Sequence, residues 1–573
     1  MQKMRWHLKE NGDKQTVIQL AAQLNNLPIV LANILVQRGI TTFEEAKNFF
    51  RPELKRLHNP FLMKDMEAAV QRILTAEEKK EKVLIYGDYD VDGTSAVSLM
   101  CTFFKKLNIS FDYYIPDRYT EGYGVSQQGV EYAKEHGFSL IIALDCGIKA
   151  HEKVKWAKEN AIDFIICDHH LPSENLPEAI AVLDPKRKDC IYPYDELSGC
   201  GIGFKLCQAI AEKKQMNQAI VNDLLDFVAI SIACDIVPIT GENRILCFYG
   251  LEAINESPRP GIVALLSEEQ LMNRITVMDL VFIVGPRINA AGRIEHGKYA
   301  VQLMTSEDLS VKEYSKRIHA NNEERKDIDK AITAEALTMI GADEKLKTAY
   351  STVVFQEDWH KGVIGIVASR LIETYYRPTV VLTESEGKIS GSVRSVKGFD
   401  VHHALEQCKD CLDQFGGHKY AAGLTMQKSN VELFKKRFEE VVSTTITPSQ
   451  RIPVLEIDAQ LSFAEINDKF YRVMRQMAPF GPKNLTPVFA TENVVDTGGT
   501  KRVGNDESHL RLVVKQNGVE FTGIAFGKGN YAERIKTGEP FAIAYSIDEN
   551  HWKGTTTLQL RIKDIKFMDE QQL

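Results

Sequence analysis

The sequence predicts a multidomain α/β protein with a C-terminal β-barrel, and three observations lead to this fold class. Short apolar runs alternate with longer amphipathic runs between residues 83 and 183. Residues 301–340 contain no proline or glycine and mix charges of both signs. Residues 452–573 consist of short alternating runs with turn signals between them. Because a single core stops growing at roughly 250–300 residues, a chain of 573 residues must contain several domains.

The alternating runs in the first half of the chain predict a doubly wound parallel sheet. Strands are expected at VLIY, FDYYI, LIIAL, DFIIC and AVL, which begin at residues 83, 111, 140, 163 and 181. Strands that alternate with helices form parallel sheets, and uninterrupted apolar strands are covered on both faces. We assign residues 41–300 to this first α/β domain and residues 1–40 to an N-terminal segment.

A long helix, a second α/β domain and a barrel are expected to follow. The mixed charges of residues 301–345 predict a helix that connects two bodies. The runs STVVF and TVVL, with a helical run between them, predict a smaller α/β domain over residues 346–445. Short strands over residues 452–573, with the hairpin signal Asn517-Gly518, predict a barrel of the OB type with about five strands.

Composition and charge limit the classes of protein to which this chain can belong. The 44% hydrophobic and 26% charged residues are typical of a soluble globular protein. The sequence has no apolar run of about 18 residues and no apolar core of a signal peptide near its start, so we expect a cytoplasmic protein without a membrane span. The net charge of −8 argues against a nonspecific duplex-DNA binder, but it is compatible with a nucleic-acid enzyme that has a local positive groove.

The ten cysteines are scattered, which favours buried, reduced thiols. Cys408 and Cys411 form a CxxC pair, but no second CxxC follows. We therefore expect a structural role for this pair rather than a zinc or redox site.

Acidic residues follow five apolar runs, and in an open parallel sheet ligands bind at the carboxyl ends of the strands. One acid at a strand end is usually a turn former or a helix cap. Many acids in one cleft would repel each other unless divalent cations neutralised them. The residues concerned are Asp88, Asp90 and Asp92 after residue 86, Asp145 after 144, Asp168, His169 and His170 after 167, Asp184 after 183, and Asp235 after 234.

Carboxylate and imidazole ligands together suit Mn²⁺ or Mg²⁺ better than structural zinc, which prefers sulfur and nitrogen. Two such cations about 3.5–4 Å apart form the two-metal clamp of phosphoester hydrolysis. The acids and histidines at the strand ends therefore predict a two-metal hydrolase centre.

Four motifs, DYDVDG, LDCG, DHH and the CD at residues 234–235, resemble those of the DHH phosphoesterase superfamily. Further stretches are similar to the bacterial exonucleases of this superfamily, and the similarity runs from about residue 40 to 570 in the same order. These stretches are YYIPDRYTEGYGV, GPRINAAGR, GSVRS, GGH and APFGPKNLTPVF. The resemblance implies a DHH domain, a DHHA1 domain and an OB domain. It also implies a single-stranded-DNA-specific 5′→3′ exonuclease of DNA repair and recombination that releases 5′-mononucleotides.

The resemblance implies roles for individual residues as well. It assigns two Mn²⁺ or Mg²⁺ ions to Asp90, Asp92, Asp145, His169 and Asp235, with Asp145 bridging both. Whether Asp88 is also a ligand stays open, because many relatives carry a histidine upstream of this motif instead. Asp168 and Asp184 are expected to orient ligands or form turns. The residues expected to act in catalysis are Asp145, His170 and His418.

Phosphate recognition is expected from residues in glycine-rich motifs, where a guanidinium can read a terminal phosphate. The resemblance assigns the 5′-phosphate to Arg293, Ser392 and Arg394, and Arg287 is a weaker candidate. Tyrosines could stack nucleobases, at roughly 1–3 kcal/mol per base, and the candidates are Tyr113, Tyr119 and Tyr123. The implied partners of a monomeric enzyme are single-stranded DNA with a 5′-phosphate, a single-strand-binding protein and a helicase.

Two alternative functions remain at this point. A DHH phosphodiesterase acting on short oligonucleotides or cyclic dinucleotides would share the metal motifs, but such chains usually lack an OB segment. A non-enzymatic DHH scaffold in replication would have eroded metal motifs, whereas the acids and histidines are intact here.

Overall fold

The computed structural model describes residues 3–552 and 555–570. The outermost residues of the predicted segments 1–40 and 452–573 lie outside this described part. The chain divides into two compact units. The central unit comprises Arg51–Asp327 and Pro479–Leu485, and the flanking unit comprises the residues up to Phe50, Ile328–Ala478 and the residues from Thr486 onward. Within the described residues, no helix is both long and apolar enough to cross a membrane.

The first fifty residues belong to the flanking unit, which differs from the predicted boundary at residue 40. The reason is pairing with residues far along the chain: strand β1 lies parallel to the strand Val454–Ile457, and Trp6 Nε1 donates to Asp564 at 2.9 Å. The elements are β1 (Arg5–Leu8), α1 (Lys14–Gln23), α2 (Ile29–Gln37) and α3 (Phe43–Phe50).

The central unit contains the predicted doubly wound sheet. Its five strands are all parallel, in the order β3-β2-β4-β5-β6, and three of them are buried throughout. The elements are α4 (Met66–Glu78), β2 (Val83–Gly87), α5 (Val91–Leu107), β3 (Phe111–Tyr114), α6 (Gln127–Glu135), β4 (Leu140–Leu144), α7 (His151–Glu159), β5 (Asp163–Cys167) and β6 (Ala181–Leu183).

Helices complete the central unit. The apolar run before Asp235 is a helix, whereas the runs before the other acids are strands of the sheet. A short apolar run cannot be assigned by periodicity alone when all sides are buried, as they are here. The elements are α8 (Gly199–Lys213), α9 (Ala219–Asn222), α10 (Leu225–Cys234), α11 (Gly241–Glu256), α12 (Pro260–Val263), α13 (Glu268–Leu271), α14 (Val277–Asp279), the π-helix Leu280–Val284, α15 (Gly285–Ile294) and α16 (Lys298–Thr305).

The predicted connecting helix over residues 301–345 is interrupted. Helix α16 ends at Thr305, and α17 spans Ser310–Ala342. The interruption has a local cause, because the Asp308 carboxylate accepts a hydrogen bond from the Ser310 backbone N–H at 2.9 Å and so caps the start of α17. The longer helix, of 33 residues, begins in the central unit and ends in the flanking unit.

The second α/β domain has a mixed five-stranded sheet in the order β10-β11-β9-β8-β7, in which only β7 and β8 are parallel. Cys408 and Cys411 are buried in its core, which agrees with the structural role expected from the sequence. The elements are α18 (Glu344–Thr348), β7 (Thr352–Phe355), α19 (Ile364–Thr374), β8 (Thr379–Ser385), β9 (Lys388–Arg394), α20 (Val401–Glu406), β10 (Gln414–His418), β11 (Ala421–Met426) and α21 (Val431–Thr445).

The C-terminal part of the flanking unit is β-rich, with seven strands where about five were predicted. Their order is β13-β14-β18-β19-β17-β16-β15, and an additional β14–β16 pairing closes the sheet. The predicted Asn517-Gly518 hairpin is confirmed, with positive φ at both residues. The elements are β12 (Val454–Ile457), β13 (Ala459–Gln460), α22 (Asp468–Arg475), β14 (Phe489–Asp496), β15 (Lys501–Val503), β16 (His509–Gln516), β17 (Val519–Ala525), α23 (Ala532–Ile535), β18 (Phe541–Trp552) and β19 (Thr555–Phe567).

Candidate metal centre and phosphate-binding residues

The carboxyl edge of the central sheet gathers acids from neighbouring strands. Asp145 follows β4, and its backbone N–H donates to Cys167 O at 2.8 Å, so it lies beside the end of β5. Asp168 follows β5, and its N–H donates to Leu183 O at 3.1 Å, beside the end of β6. The strand order therefore brings together side chains that are far apart in the sequence.

His169 lies at the middle of this group. Its Nε2 is 3.2 Å from Asp145 Oδ1, 3.6 Å from Asp235 Oδ2 and 3.9 Å from Asp92 Oδ2. Two sets of three ligand atoms form, each with all atoms within 4.8 Å of one another. The two sets share His169, and they consist of Asp92, His169 and Asp235, and of Asp145, His169 and His170. Either set could hold a divalent cation, although Nε2 of His169 can bind only one cation at a time.

The protonation chemistry of the centre fits divalent cations. Burial, followed by the charges of Asp92 and Asp90, raises the pKa of Asp145 well above its ordinary value. The same causes raise the pKa of Asp235. Burial lowers the pKa of His169, which favours the neutral imidazole that can bind a metal. Crowded carboxylates of raised pKa beside a neutral histidine are a donor set that a cation would stabilise.

Unpaired polar atoms point to the same conclusion. Within the described residues, Asp88 Oδ2 and His169 Nδ1 are buried and have no hydrogen-bond partner, and Asp145 Oδ1 makes no hydrogen bond despite its contact with His169. A buried polar atom without a partner is costly and calls for an explanation, such as an ion. A cation at the centre would satisfy the oxygen of Asp145.

Glycines allow the chain to approach the centre closely. The Asp90 side chain caps α5 by accepting from Gly93 N at 3.1 Å, and a β-carbon on Gly93 would lie 2.4 Å from Asp88 O. Asp145 has a left-handed backbone, with φ of 60°. A β-carbon on Gly199, the first residue of α8, would lie 2.6 Å from the Asp145 side chain. Glycine at both positions is therefore required by the packing.

His170 has a different environment from His169. Its Nδ1 lies 2.7 Å from Asp168 Oδ1, and its Nε2 lies 3.1 Å from the hydroxyl of Tyr123. Burial alone would lower the pKa of His170, but the Asp168 bond and the surrounding acids together raise it. Asp168 also accepts from Ile148 N at 2.9 Å, so it holds His170 in place, and its charge favours the protonated form of His170.

Not every acid named from the sequence joins the two ligand sets. Asp88 accepts from Gly124 N at 3.3 Å and Asp184 accepts from Lys186 N at 2.7 Å. Among the described residues, Asp88, Asp90, Asp168 and Asp184 stand outside both sets. Burial raises the pKa of Asp184 to about 7. Asp90 is nevertheless near enough for its charge to raise the pKa values of Asp145 and Asp235.

The two arginines of α15 differ in their contacts. The backbone of Arg293 is held by Tyr119, whose hydroxyl donates to Arg293 O, and its side chain is half-buried. Arg287 donates to the backbone oxygen of Leu265, and burial lowers its pKa. The Arg287 guanidinium thus already makes a hydrogen bond within the central unit. Arg293 lies on the same helix, with its backbone held by Tyr119.

In the flanking unit, Ser392 and Arg394 lie on the same face of β9. Arg394 Nη1 donates to Ser392 Oγ at 3.1 Å and to Val393 O at 2.9 Å. A β-carbon on Gly365 would lie 2.9 Å from both Arg394 Nη2 and Ser392 Oγ, so the first turn of α19 lies against the two side chains. A helix N-terminus, a guanidinium and a hydroxyl together form a site suited to an anion.

The sequence interpretation missed the contribution of Gly365. The signal was present in the stretch STVVF…DWHKGVIG, where a strand is followed by glycines and then by a helix. This order is typical of phosphate-binding turns. His418, by contrast, was named from the sequence and lies exposed at the end of β10, next to Gly417 with φ of 137°.

Comparisons with known proteins identify the domains of the chain. Three family models match the chain in order: the DHH family N-terminal domain at residues 82–232, the DHHA1 domain at 345–444 and the RecJ OB domain at 457–564. The single-stranded-DNA-specific exonuclease RecJ of Bacillus subtilis is 37% identical over 98% of this chain and 71% of that protein. RecJ of Salmonella typhimurium is 31% identical over 94% of this chain and 96% of that protein.

The similarity of this chain to solved structures supports the fold. RecJ of Thermus thermophilus in complex with Mn²⁺ has a TM-score of 0.84 at 24% identity, covering 98% of this chain and 79% of that one. The complex with Mg²⁺ has a TM-score of 0.79 at 23% identity, covering 98% and 78%. With its DHH, DHHA1 and OB domains in this order and its identity to curated relatives, the chain belongs to the RecJ family.

Proposed function

We propose that this protein is a single-stranded-DNA-specific exonuclease that removes 5′-mononucleotides in the 5′→3′ direction with Mn²⁺ or Mg²⁺. The observation that carries the proposal is the pair of ligand sets that share His169 at the carboxyl edge of the sheet. The relatives named as single-stranded-DNA-specific exonucleases support the choice of substrate.

The proposed cation ligands are Asp92, Asp145, His169 and Asp235, together with Asp90 from the resemblance. His170 belongs to one of the two ligand sets but is not proposed as a ligand, because a protonated imidazole cannot bind a cation. When bound, two cations supply an activated water and neutralise charge that develops on the phosphate. His170, whose protonated form Asp168 favours, is suited to donate a hydrogen bond to a phosphate oxygen or a proton to the leaving 3′-oxygen. His169, in its neutral form, keeps its ring nitrogen available as a ligand.

Recognition of the 5′ end is proposed for Ser392 and Arg394. A terminal phosphate carries more charge than an internal one, and a guanidinium beside a helix N-terminus favours that extra charge. Arg293 of the central unit and exposed His418 of the flanking unit are proposed as further phosphate contacts, on the strength of the motifs that contain them. Arg287 is the weakest of these candidates because it already donates to Leu265.

The barrel offers a surface for the single strand. Lys501, Arg511 and Arg561 lie in one row across the strands, with Ile524 of β17 between the two arginines, and all three cations are exposed. Beside them Phe526 is 56% exposed, with the Arg561 guanidinium 5.7 Å from its ring centre. A positive row with an exposed aromatic ring is the combination that binds single-stranded nucleic acid without sequence preference.

The proposed setting is the cytoplasm, where the enzyme would act in repair and recombination with a single-strand-binding protein and a helicase. All ten cysteines are free, which fits a reducing compartment. The alternatives drawn from the superfamily are less well supported. The barrel disfavours an enzyme limited to dinucleotides, and the intact ligand sets disfavour a scaffold without activity.

The experiment is a degradation assay with 5′- and 3′-labelled single and double strands, in the presence of Mn²⁺, Mg²⁺ or a chelator. We expect the 5′ label to appear first as a mononucleotide, from single strands only and only with metal. The variant Asp145→Ala is expected to abolish cleavage and retain DNA binding, and Asp410→Ala, an exposed acid of the flanking unit, is the control. Preference for dinucleotides, or no cleavage by wild type with Mn²⁺, would overturn the proposal.

A further inference from the structure

The carboxylate of Asp92 is held by an unusually complete set of donors. Its Oδ2 accepts from Gly199 N at 2.7 Å, and its Oδ1 accepts from Cys200 N at 2.8 Å. Both donors belong to the first turn of α8, a helix of 15 residues, whose N-terminus favours negative charge. A third donor, Ser231 Oγ, lies 2.7 Å from Oδ1.

Ser231 is itself part of a chain of hydroxyl groups. Its oxygen lies 2.6 Å from Ser198 Oγ, which in turn accepts from Gly201 N at 3.1 Å. A hydroxyl has one proton, so if Ser231 donates to Asp92, the bond between the serines must be donated by Ser198. The hydrogen bonds therefore run in one order: Gly201 N–H donates to Ser198, Ser198 donates to Ser231, and Ser231 donates to Asp92. Both serines are fully buried, where such a network is strong because water does not compete.

Ser231 also connects two of the candidate ligands. It lies on α10, four residues before Asp235, so it occupies the turn of helix directly preceding that acid. Its hydroxyl reaches across to Asp92, which is in the first turn of α5. One hydrogen bond thus ties the helix that ends at Asp235 to the carboxylate that completes the same ligand set.

We propose that Ser231 is a positioning residue that, together with Ser198, sets the separation of Asp92 and Asp235 for cation binding. It acts through these ligands and touches neither cation nor DNA. Oδ1 of Asp92 accepts from both Cys200 and Ser231, while Oδ2 accepts only from Gly199 among the described residues and lies 3.9 Å from His169 Nε2. The inference rests on the proposed metal centre, but it concerns cation affinity and not the choice of substrate.

The test measures Mn²⁺ binding to the full chain by titration calorimetry. Replacement of groups that orient metal ligands usually weakens affinity by about 10–100-fold. We expect Ser231→Ala to weaken Mn²⁺ binding by at least about 10-fold, and nuclease activity to recover when Mn²⁺ is raised to saturation. The matched control is Ser98→Ala, a fully buried serine on α5 whose hydroxyl donates to Thr94 O at 2.7 Å and not to Asp92.

A second pair of variants keeps the inference testable if Ser231→Ala is poorly folded. Ser198→Ala should also weaken Mn²⁺ binding, and the double variant should be no weaker than Ser231→Ala alone, because the serines act in series. The inference would be overturned if Ser198→Ala and Ser231→Ala bound Mn²⁺ as tightly as Ser98→Ala. It would also be overturned if the effects of the two substitutions added in the double variant. Wild type that binds Mn²⁺ without degrading DNA would overturn the proposed function and leave this inference standing.

Discussion

Gly199 and Asp145 are so close that a β-carbon on Gly199 would lie 2.6 Å from the β-carbon of the aspartate. The start of α8 thereby packs directly behind a residue of the candidate metal centre. We expect Gly199→Ala to displace Asp145 and to reduce Mn²⁺ affinity and activity about 10-fold or more, since overpacking costs roughly 1–3 kcal/mol.

The control for this prediction is Gly203→Ala, one turn along the same helix. There the nearest atom to a new β-carbon is the end of the Leu144 side chain, at 3.3 Å, which can shift. Titration with Mn²⁺ and a single-turnover rate for each variant check the prediction. Equal losses in both variants would mean that the effect comes from the helix as a whole.

Arg394→Ala tests recognition of the 5′ end. Loss of a charge-assisted hydrogen bond of about 1.5–3 kcal/mol should reduce the preference for 5′-phosphorylated over 5′-hydroxyl DNA by about 10-fold or more. The measurement is the ratio of kcat/KM on the two strands. Arg437→Ala, at an exposed arginine that pairs with Glu440 across one helical turn, should leave the ratio unchanged. An unaltered ratio for Arg394→Ala would exclude the residue from end recognition.

Asp184 makes the stability of the metal-free protein depend on pH. Its folded pKa is raised to about 7 from an ordinary 3.8, so its protonated form is favoured by folding. The contribution of Asp184 to the free energy of unfolding is therefore greatest below pH 3.8. This contribution falls by up to about 4 kcal/mol as the pH rises to about 7.

The variant Asp184→Asn, which cannot ionise, should remove this part of the pH dependence. We expect its Tm in chelator to exceed that of wild type at pH 8 and to approach it at pH 5. Thermal melts by circular dichroism at both pH values provide the measurement. A variant that melts below wild type at pH 8 would contradict the assignment.

Phe526→Ala tests the barrel surface. The exposed ring is held by His509, with ring centres 5.2 Å apart, and by Arg561. Loss of one stacked base should weaken single-strand binding by about 10-fold, since stacking on an aromatic ring contributes roughly 1–3 kcal/mol. Fluorescence anisotropy with labelled oligonucleotides checks this, with Phe43→Ala as a control because Phe43 is 42% exposed on α3 of the same unit. Equal affinity of the two variants would remove Phe526 from the interface.

The sequence predicted the structure best where the periodicity of apolar residues and the positions of acidic residues led to the same conclusion. Five parallel strands were predicted because apolar runs alternate with helical ones, and the acids that follow them were predicted to meet because parallel strands end at one edge. The run before Asp235 is the helix α10, although its apolar residues alone would fit a buried strand equally well, since a fully buried helix and a fully buried strand have the same apolar pattern over eight residues. The break before α17 was missed because its cause, the Asp308 cap, depends on local geometry.

The sequence by itself determined the class of fold, the family and the kinds of ligand, since these depend on residue types and on their order along the chain. Only the tertiary structure decided that His169 is shared by two ligand sets, that Gly365 brings a helix against Arg394, and that Ser231 holds Asp92. These relations join residues from separate segments, and their distances are set by how the segments pack. Spacing along the chain carries no record of such distances, because the backbone can bring any two distant segments into contact.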